Sequence, residues 1–264
     1  MGIGILYFFV TLIVISVGAI AGISGGVILR PVFDLIGYHD AISIAFYMGV
    51  AVLVMSLSST MKQISMGTKI DFQKVLTLAS GSVVGGLVGQ LILNHLLAGL
   101  NDNFVQILQG IVSILLLIFV IICTRPDVRT HNFRSLFWYS LVGLGLGTIA
   151  TILAIGGGPI NVAAFMILFS ITIKEATVYS ITTIFFTQIA RLTLMGFDPG
   201  FGLFDMSILF FIVPAAIMGG VIGGRLNVKL RSTTILKIFK AVVMGTILLN
   251  IFNVVSFWMS LSSG

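Results

Sequence analysis

Gly22-Ile23-Ser24-Gly25-Gly26 and Ala154-Ile155-Gly156-Gly157-Gly158-Pro159 decide how the rest of this chain is read. Each cluster interrupts a long apolar stretch, and the two occupy matching places in the two halves of the 264 residues. In a water-soluble protein they would be ordinary loops. The surroundings forbid that reading, because 58% of the residues are hydrophobic and only 8% are charged, against about 25% charged in soluble domains. Inside a bilayer, backbone leaves the helix only where protein encloses it or where it lines a cavity. Paired breaks in a duplicated chain therefore point to a transport site.

Working outward from the clusters, successive apolar runs extend over Ile3 to Ala21, Ala41 to Thr60, Val75 to Leu97, Phe104 to Cys123, Leu136 to Ala154, Ala176 to Met195, Met206 to Gly223 and Ile235 to Trp258. Each is near the roughly 20 residues that cross about 30 Å of hydrocarbon as a helix. The runs are continuous rather than alternating, which argues against a β-barrel. Two shorter pieces, Val27 to Gly37 and Ile160 to Ile171, follow the glycine clusters and predict half-helices or re-entrant segments. The expected fold is an all-α integral membrane protein of two inverted repeats, each a glycine-broken helix hairpin plus three transmembrane helices.

The halves share landmarks in the same order. A broken segment precedes an alanine-headed span in each (Ala41 after His39-Asp40; Ala176 after Lys174-Glu175). A cation then precedes a glycine, Lys62 before Gly67 and Arg191 before Gly196. The next span carries Gly85-Gly86 with Gly89, or Gly219-Gly220 with Gly223. The first repeat is placed at 1–124, a basic cytoplasmic linker at 125–135 and the second repeat at 136–264. If each broken segment dips in and returns, one face collects twelve of the 14 Lys and Arg, leaving Arg30 and Arg191 on the other with Asp34, Asp40, Asp102, Asp198 and Asp205. The positive-inside rule then puts both termini outside. It also accounts for the net charge of +6 without nucleic acid as a partner.

Where a half-helix begins in mid-membrane, its free N–H groups and partial positive charge make a seat for an anion. Gly25, Gly26, Gly156, Gly157 and Gly158 are the candidate backbone donors. Ser24 adds a hydroxyl and Asn161 an amide, and Pro159 suits a first helical turn. The competing reading is close helix packing through small residues, which is preferred for the Gly85-Gly86 and Gly219-Gly220 faces. Gln188 and Arg191 lie in the sixth run after Thr182, Thr183 and Thr187. Arg191 is close enough to the end of its run to snorkel to the interface as readily as to line a site. Ser56, Ser58, Ser59 and Thr60 are candidates for a polar route.

Cys123 is the single cysteine, so no intrachain disulfide is expected, and no zinc-ligand spacing occurs. No catalytic elbow, metalloprotease helix or phosphate loop is present in the sequence. The reading is of a non-enzyme that needs no cofactor and no metal.

The first cluster through Arg30-Pro31, the second through Asn161, Gly67 with Asp71, and the Gly85-Gly86 helix together resemble the paired motif of the sulfite exporter TauE/SafE family. The resemblance covers both halves. It implies an inner-membrane permease for a small sulfur-containing anion such as sulfite, sulfoacetate or a related organosulfonate, held at mid-membrane and moved by alternating access. The expected partners are that anionic solute, the lipid bilayer and, as an open option, further copies of the chain. The rival expectation is a non-transporting membrane scaffold or assembly factor in which the glycines serve packing alone.

Overall fold

The computed structural model describes residues 2–99, 102–125, 128–153, 157–197, 202 and 204–262. They form helices α1 (Gly2–Ala21), α2 (Gly26–Ile36), α3 (Ala41–Ser65), α4 (Phe72–Gly99), α5 (Asp102–Cys123), α6 (Leu136–Ile152), α7 (Gly158–Phe169), α8 (Ile173–Phe197), α9 (Leu209–Lys229) and α10 (Ser232–Ser262). A 3₁₀ turn, Met206–Ile208, leads into α9. Among the described residues there is no strand. Among the described residues, six helices are long and apolar enough to cross a membrane: α1, α3, α4, α8, α9 with its leading turn, and α10. The expected span at α5 is a helix of 22 residues, and that at α6 is a shorter apolar helix, Leu136–Ile152. Ala154, the expected end of the α6 run, lies outside the described residues.

The short helices fold back along their predecessors. Tyr7 near the start of α1 stacks on Phe33 near the end of α2, with ring centroids 4.2 Å apart. Its hydroxyl shares a 2.9 Å hydrogen bond with Nδ1 of His39, in the turn beyond α2. In the second half Tyr139 at the start of α6 stacks on Phe169 at the end of α7, with centroids 3.9 Å apart. The N–H groups of His131 and Phe133 donate to the carbonyls of Ile167 and Leu168. Counted from Gly25 and Gly157, the halves keep step: Tyr7 falls opposite Tyr139, Phe33 opposite Phe165, and the start of α3 opposite the start of α8. The same count sets Arg191 opposite Ser59 rather than opposite Lys62. The cation-before-glycine pattern misled because Gly67 sits in the turn after α3 with φ +90°, whereas Gly196 is still inside α8.

Glycine decides which helices lie together. A Cβ at Gly81 or Gly85 of α4 would collide with the carbonyl of Ser140 or Leu144 of α6, and one at Gly143 or Gly147 of α6 would strike that of Leu78 or Ser82. On α9, Gly219 and Gly223 face α1, where added carbons would meet the carbonyls of Leu12 at 3.0 Å and Ser16 at 2.6 Å. Gly220 and Gly224 face α3 at the carbonyls of Met55 and Ser59, both at 2.8 Å. Small residues at four-residue spacing let membrane helices approach this closely, which dispersion rewards when both sides already face lipid-like surroundings. Thr148 Oγ1 adds a 3.0 Å bond to the carbonyl of Gly85 across the α4–α6 contact.

Two apolar cores result. One gathers Tyr7, Ile15, Phe33, Tyr47, Met55, Ile212 and Ala216 from α1, α2, α3 and α9. The other gathers Leu78, Leu117, Tyr139, Phe165, Phe169, Phe239 and Val243 from α4, α5, α6, α7 and α10. Residues such as Phe9, Ile13, Leu91, Leu115, Phe210 and Leu248 stay exposed, and in a multi-pass membrane protein this outer surface meets lipid.

Candidate functional site

The first break is closed by backbone geometry. Gly22 takes φ +73°, and the N–H of Ile23 donates to the carbonyl of Gly18 at 2.9 Å, the six-to-one bond of a Schellman motif. A side chain at Gly22 would be strained there, and its Cβ would lie 2.5 Å from Cα of Thr177 on α8. The carbonyls released at the end of α1 are taken up by neighbours. Asn227 Nδ2 donates to Ile20 at 2.8 Å and Ser180 Oγ donates to Gly22 at 2.8 Å. The carbonyls of Gly18, Ile20 and Gly22 are therefore engaged.

The donor side is different. α2 starts from Gly25 at φ 63°, ψ −29°, and α7 from Gly157 at φ 78°, ψ −25°. Both N-caps are left-handed glycines with no side-chain cap bond. Ile28 and Leu29 donate to the carbonyl of Gly25, and Asn161 to that of Gly157. Helix geometry leaves the earlier N–H groups, those of Gly26 and Val27 in α2, without intrahelical acceptors. The two breaks touch one another. A Cβ on Gly158 would sit 2.7 Å from Cα of Ile23 and from the amide nitrogen of Ser24, so only glycine lets α7 begin against the unwound stretch of α1–α2.

This junction opens on a cavity of about 330 Å³ between the two cores, lined from α2, α3, α4, α6, α7 and α8. Of the predicted residues, Ser24, Gly26, Gly157, Asn161, Gln188 and Arg191 line it. Gly25 and Gly158 stand behind them and build the turn and the contact, while Gly156 lies outside the described residues. Ser24 is 1% exposed and Gln188 7%, yet Ser24 Oγ and Gln188 Oε1 have no hydrogen-bond partner. Buried polar atoms are nearly always satisfied, so two orphans lining one cavity mark a place for something else to bind. Asn161 folds over the α7 N-terminus, its amide atoms 3.3 and 3.4 Å from where a Gly157 Cβ would be.

Sequence reasoning missed Arg30, Ser82, Gln90 and Thr151, which also line the cavity. A signal for Arg30 existed: Arg30 and Arg191 were the two cations on the acidic side of the charge count. Among the described residues lining it there is no carboxylate, and no cluster of His, Cys, Asp or Glu could hold a metal. The hydroxyls of Ser56 and Ser58 turn back to the carbonyls of Leu53 and Met55. Ser59 accepts from Gln63 Nε2 and Thr60 pairs with Thr182. That patch is absorbed by its own helices and does not line the cavity.

A family model described as "Sulfite exporter TauE/SafE" matches residues 7–251. The chain belongs to the sulfite exporter TauE/SafE family. The match takes in both glycine clusters and every residue named above as lining the cavity. This family member is 26% identical over 253 residues to the "Probable membrane transporter protein YunE" of Bacillus subtilis (strain 168), covering 86% of this chain and 89% of that one. No solved structure matches. The chain is thus a multi-pass membrane protein of a transporter family, built on helices.

Proposed function

We propose that this protein is a secondary carrier for a small sulfur-containing anion, such as sulfite, sulfoacetate or a related organosulfonate. The solute is bound where α2 and α7 begin and is moved by alternating access. The observation that carries the reading is the orphaned hydroxyl of Ser24 beside two uncapped half-helix starts in one cavity. Because the carbonyls of Gly18, Ile20 and Gly22 are engaged, the break offers donors rather than acceptors. Donors and a helix N-terminus favour an anion. The family's name supplies the sulfur oxyanion class. Ser24, Gly26, Gly157, Asn161 and Gln188 are proposed as the seat, with Gly25, Gly156 and Gly158 shaping it.

The architecture proposed is two inverted repeats, 1–124 and 136–264, joined by a cytoplasmic basic linker, 125–135. Both termini are placed outside an inner (plasma) membrane, with α1–α2 and α6–α7 as re-entrant hairpins. Supporting this is the reciprocal packing: α1 of the first half lies on α9 of the second, as α6 of the second lies on α4 of the first. That exchange is what a two-fold axis in the membrane plane would generate.

Reconstitution into liposomes tests the function. Labelled sulfite or sulfoacetate flux is expected with the native chain and its loss with Gly157→Leu, in which a side chain is forced onto a left-handed cap. Absence of flux and of binding by a well-folded native protein would refute the carrier and favour a scaffold.

A further inference from the structure

We propose that a sodium-sized monovalent cation binds where the end of α1 meets α3, α8 and α9, and that its binding is coupled to movement of the anion. The site stands on its own geometry; only the coupling rests on the carrier reading.

α1, α3 and α9 run in one direction. As α9 passes from Gly219 to Gly224, the backbone nearest its glycines steps from the carbonyl of Leu12 to that of Ser16 on α1, and from that of Met55 to that of Ser59 on α3. One turn further, the same registers bring Asn227 level with Ile20 and Gln63. Nδ2 of Asn227 donates to the Ile20 carbonyl at 2.8 Å and to the Thr177 hydroxyl at 2.9 Å. α8 runs against α3, with Leu192 at Gly49 and Thr182 at Thr60, which sets Thr177 near the level of Gln63 as well. Gln63 continues the stripe of Met55 and Ser59, and Asn227 that of Gly220 and Gly224. Both therefore lie on the faces that α3 and α9 turn to each other.

This layer presents lone pairs. Gln63 and Asn227 are both 0% exposed, yet Gln63 Oε1 and Asn227 Oδ1 have no hydrogen-bond partner. Asn227 cannot exchange the roles of its amide atoms, because its Nδ2 is held by a carbonyl. Thr177 donates its proton to the carbonyl of Lys174, so toward the layer it can only accept. Three helices, ending at Ala21, Ser65 and Lys229, bring their negative dipole ends here. The Lys174 ammonium binds the carbonyls of Val228 and Leu230 beyond the layer and leaves both amide oxygens unpartnered. Lys62 and Lys229 share these last turns but are not buried with the layer. Acceptors gathered at helix C-termini favour a cation. The ligands Gln63, Asn227 and Thr177 are all neutral, which suits a monovalent ion better than a divalent one.

The first break ties the two sites together. Ile20 precedes it and Ser24 follows it, so the end of α1 faces the cation while the start of α2 faces the anion. Opposite charges at the two ends of one unwound stretch stabilise the same conformation.

The experiment unfolds the full chain thermally, in detergent, in sodium chloride and in choline chloride of equal ionic strength. Saturating sodium is expected to raise the melting temperature by about 3 °C or more. Gln63→Met, which removes the acceptor and keeps the bulk, should abolish that rise. Gln63→Glu should lower the sodium concentration for half the rise about tenfold, through added ligand charge. In proteoliposomes, sulfoacetate uptake should be about fivefold or more faster with sodium than with choline in the external medium, and Gln63→Met should lose the difference. Equal melting temperatures in the two salts, or a sodium rise that survives Gln63→Met, would overturn the site. If Gln63→Met fails to fold, Gln63→Glu decides, and an unchanged sodium dependence refutes the proposal. Solute flux with no sodium response in either assay sinks this inference alone. Sodium stabilisation without solute flux keeps the cation site and sinks the carrier reading.

Discussion

Ser24 is the side chain on which the anion seat most directly depends. Its hydroxyl is buried and unpartnered, so the empty protein bears a desolvation cost that a bound oxyanion would relieve. Ser24→Ala should weaken solute binding by about fivefold to tenfold, the worth of one net hydrogen bond. The same change should leave the melting temperature of the solute-free protein unchanged or slightly higher, because an orphaned polar group has gone. Calorimetric titration alongside thermal unfolding checks both signs. A lowered melting temperature with unchanged binding would make Ser24 a structural residue. The site glycines were legible in the sequence because two clusters broke otherwise uniform apolar runs. Arg30 was marked only by its place with Arg191 on the acidic side of the charge count, since an arginine within a short apolar piece looks the same whether it points to headgroups or into a cavity.

Among the helices, glycine has two different jobs, and they can be told apart by substitution. Gly85 of α4 meets the carbonyl of Leu144, while Gly145 of α6 has nothing within 4 Å of an added Cβ. Gly85→Ala should destabilise by about 1–3 kcal/mol through forced separation of α4 and α6. Gly145→Ala should be neutral or stabilising by up to about 1 kcal/mol, from helix propensity alone. Thermal unfolding in detergent reads both; similar effects at the two positions would contradict the packing described.

At the start of α3, Asp40 caps the helix by accepting from the N–H groups of Ile42 and Ser43. Hydrogen bonding from Ser43 holds its carboxyl below the ordinary carboxylate value. A depressed folded pKa means stabilisation present above the unfolded pKa and lost as pH falls through the folded one. Asp40→Asn should accordingly flatten the acid limb of the melting-temperature profile below about pH 4. An unchanged limb would show that the cap carries no pH-linked stability. Element positions were mostly visible from apolar run lengths, because lipid leaves a spanning chain little choice but helix. Which glycine faced which partner was not visible, since helix phase says where a small face points and nothing of what lies across from it.

For the molecule as a whole, the charge distribution makes a testable statement about orientation. In a Cys123→Ser background, an impermeant thiol reagent added to right-side-out vesicles should label Tyr38→Cys and Ser207→Cys. It should spare Thr68→Cys and Arg129→Cys until the membrane is opened. The reverse pattern would invert the topology, and labelling of Tyr38→Cys and Thr68→Cys from the same side would rule out α3 as a span. The two apolar cores do not follow the boundary between the halves: α9 joins α1, α2 and α3, while α4 and α5 join α6, α7 and α10. Each half's first helix is clasped by the other's fourth, so the halves are interlocked and the cavity lies between the cores.

Sequence alone determined that the chain is a helical membrane protein with a break near the start of each half, because hydropathy and the need to satisfy every backbone group in lipid act locally along the chain. Tertiary structure alone decided that the two breaks meet, that Arg30 joins Arg191 at one cavity, and that the carbonyls of Ile20 and Gly22 are engaged. Those outcomes depend on contacts between residues such as Gly158 and Ile23, or Asn227 and Ile20, which are distant in the chain and are brought together only when the helices pack.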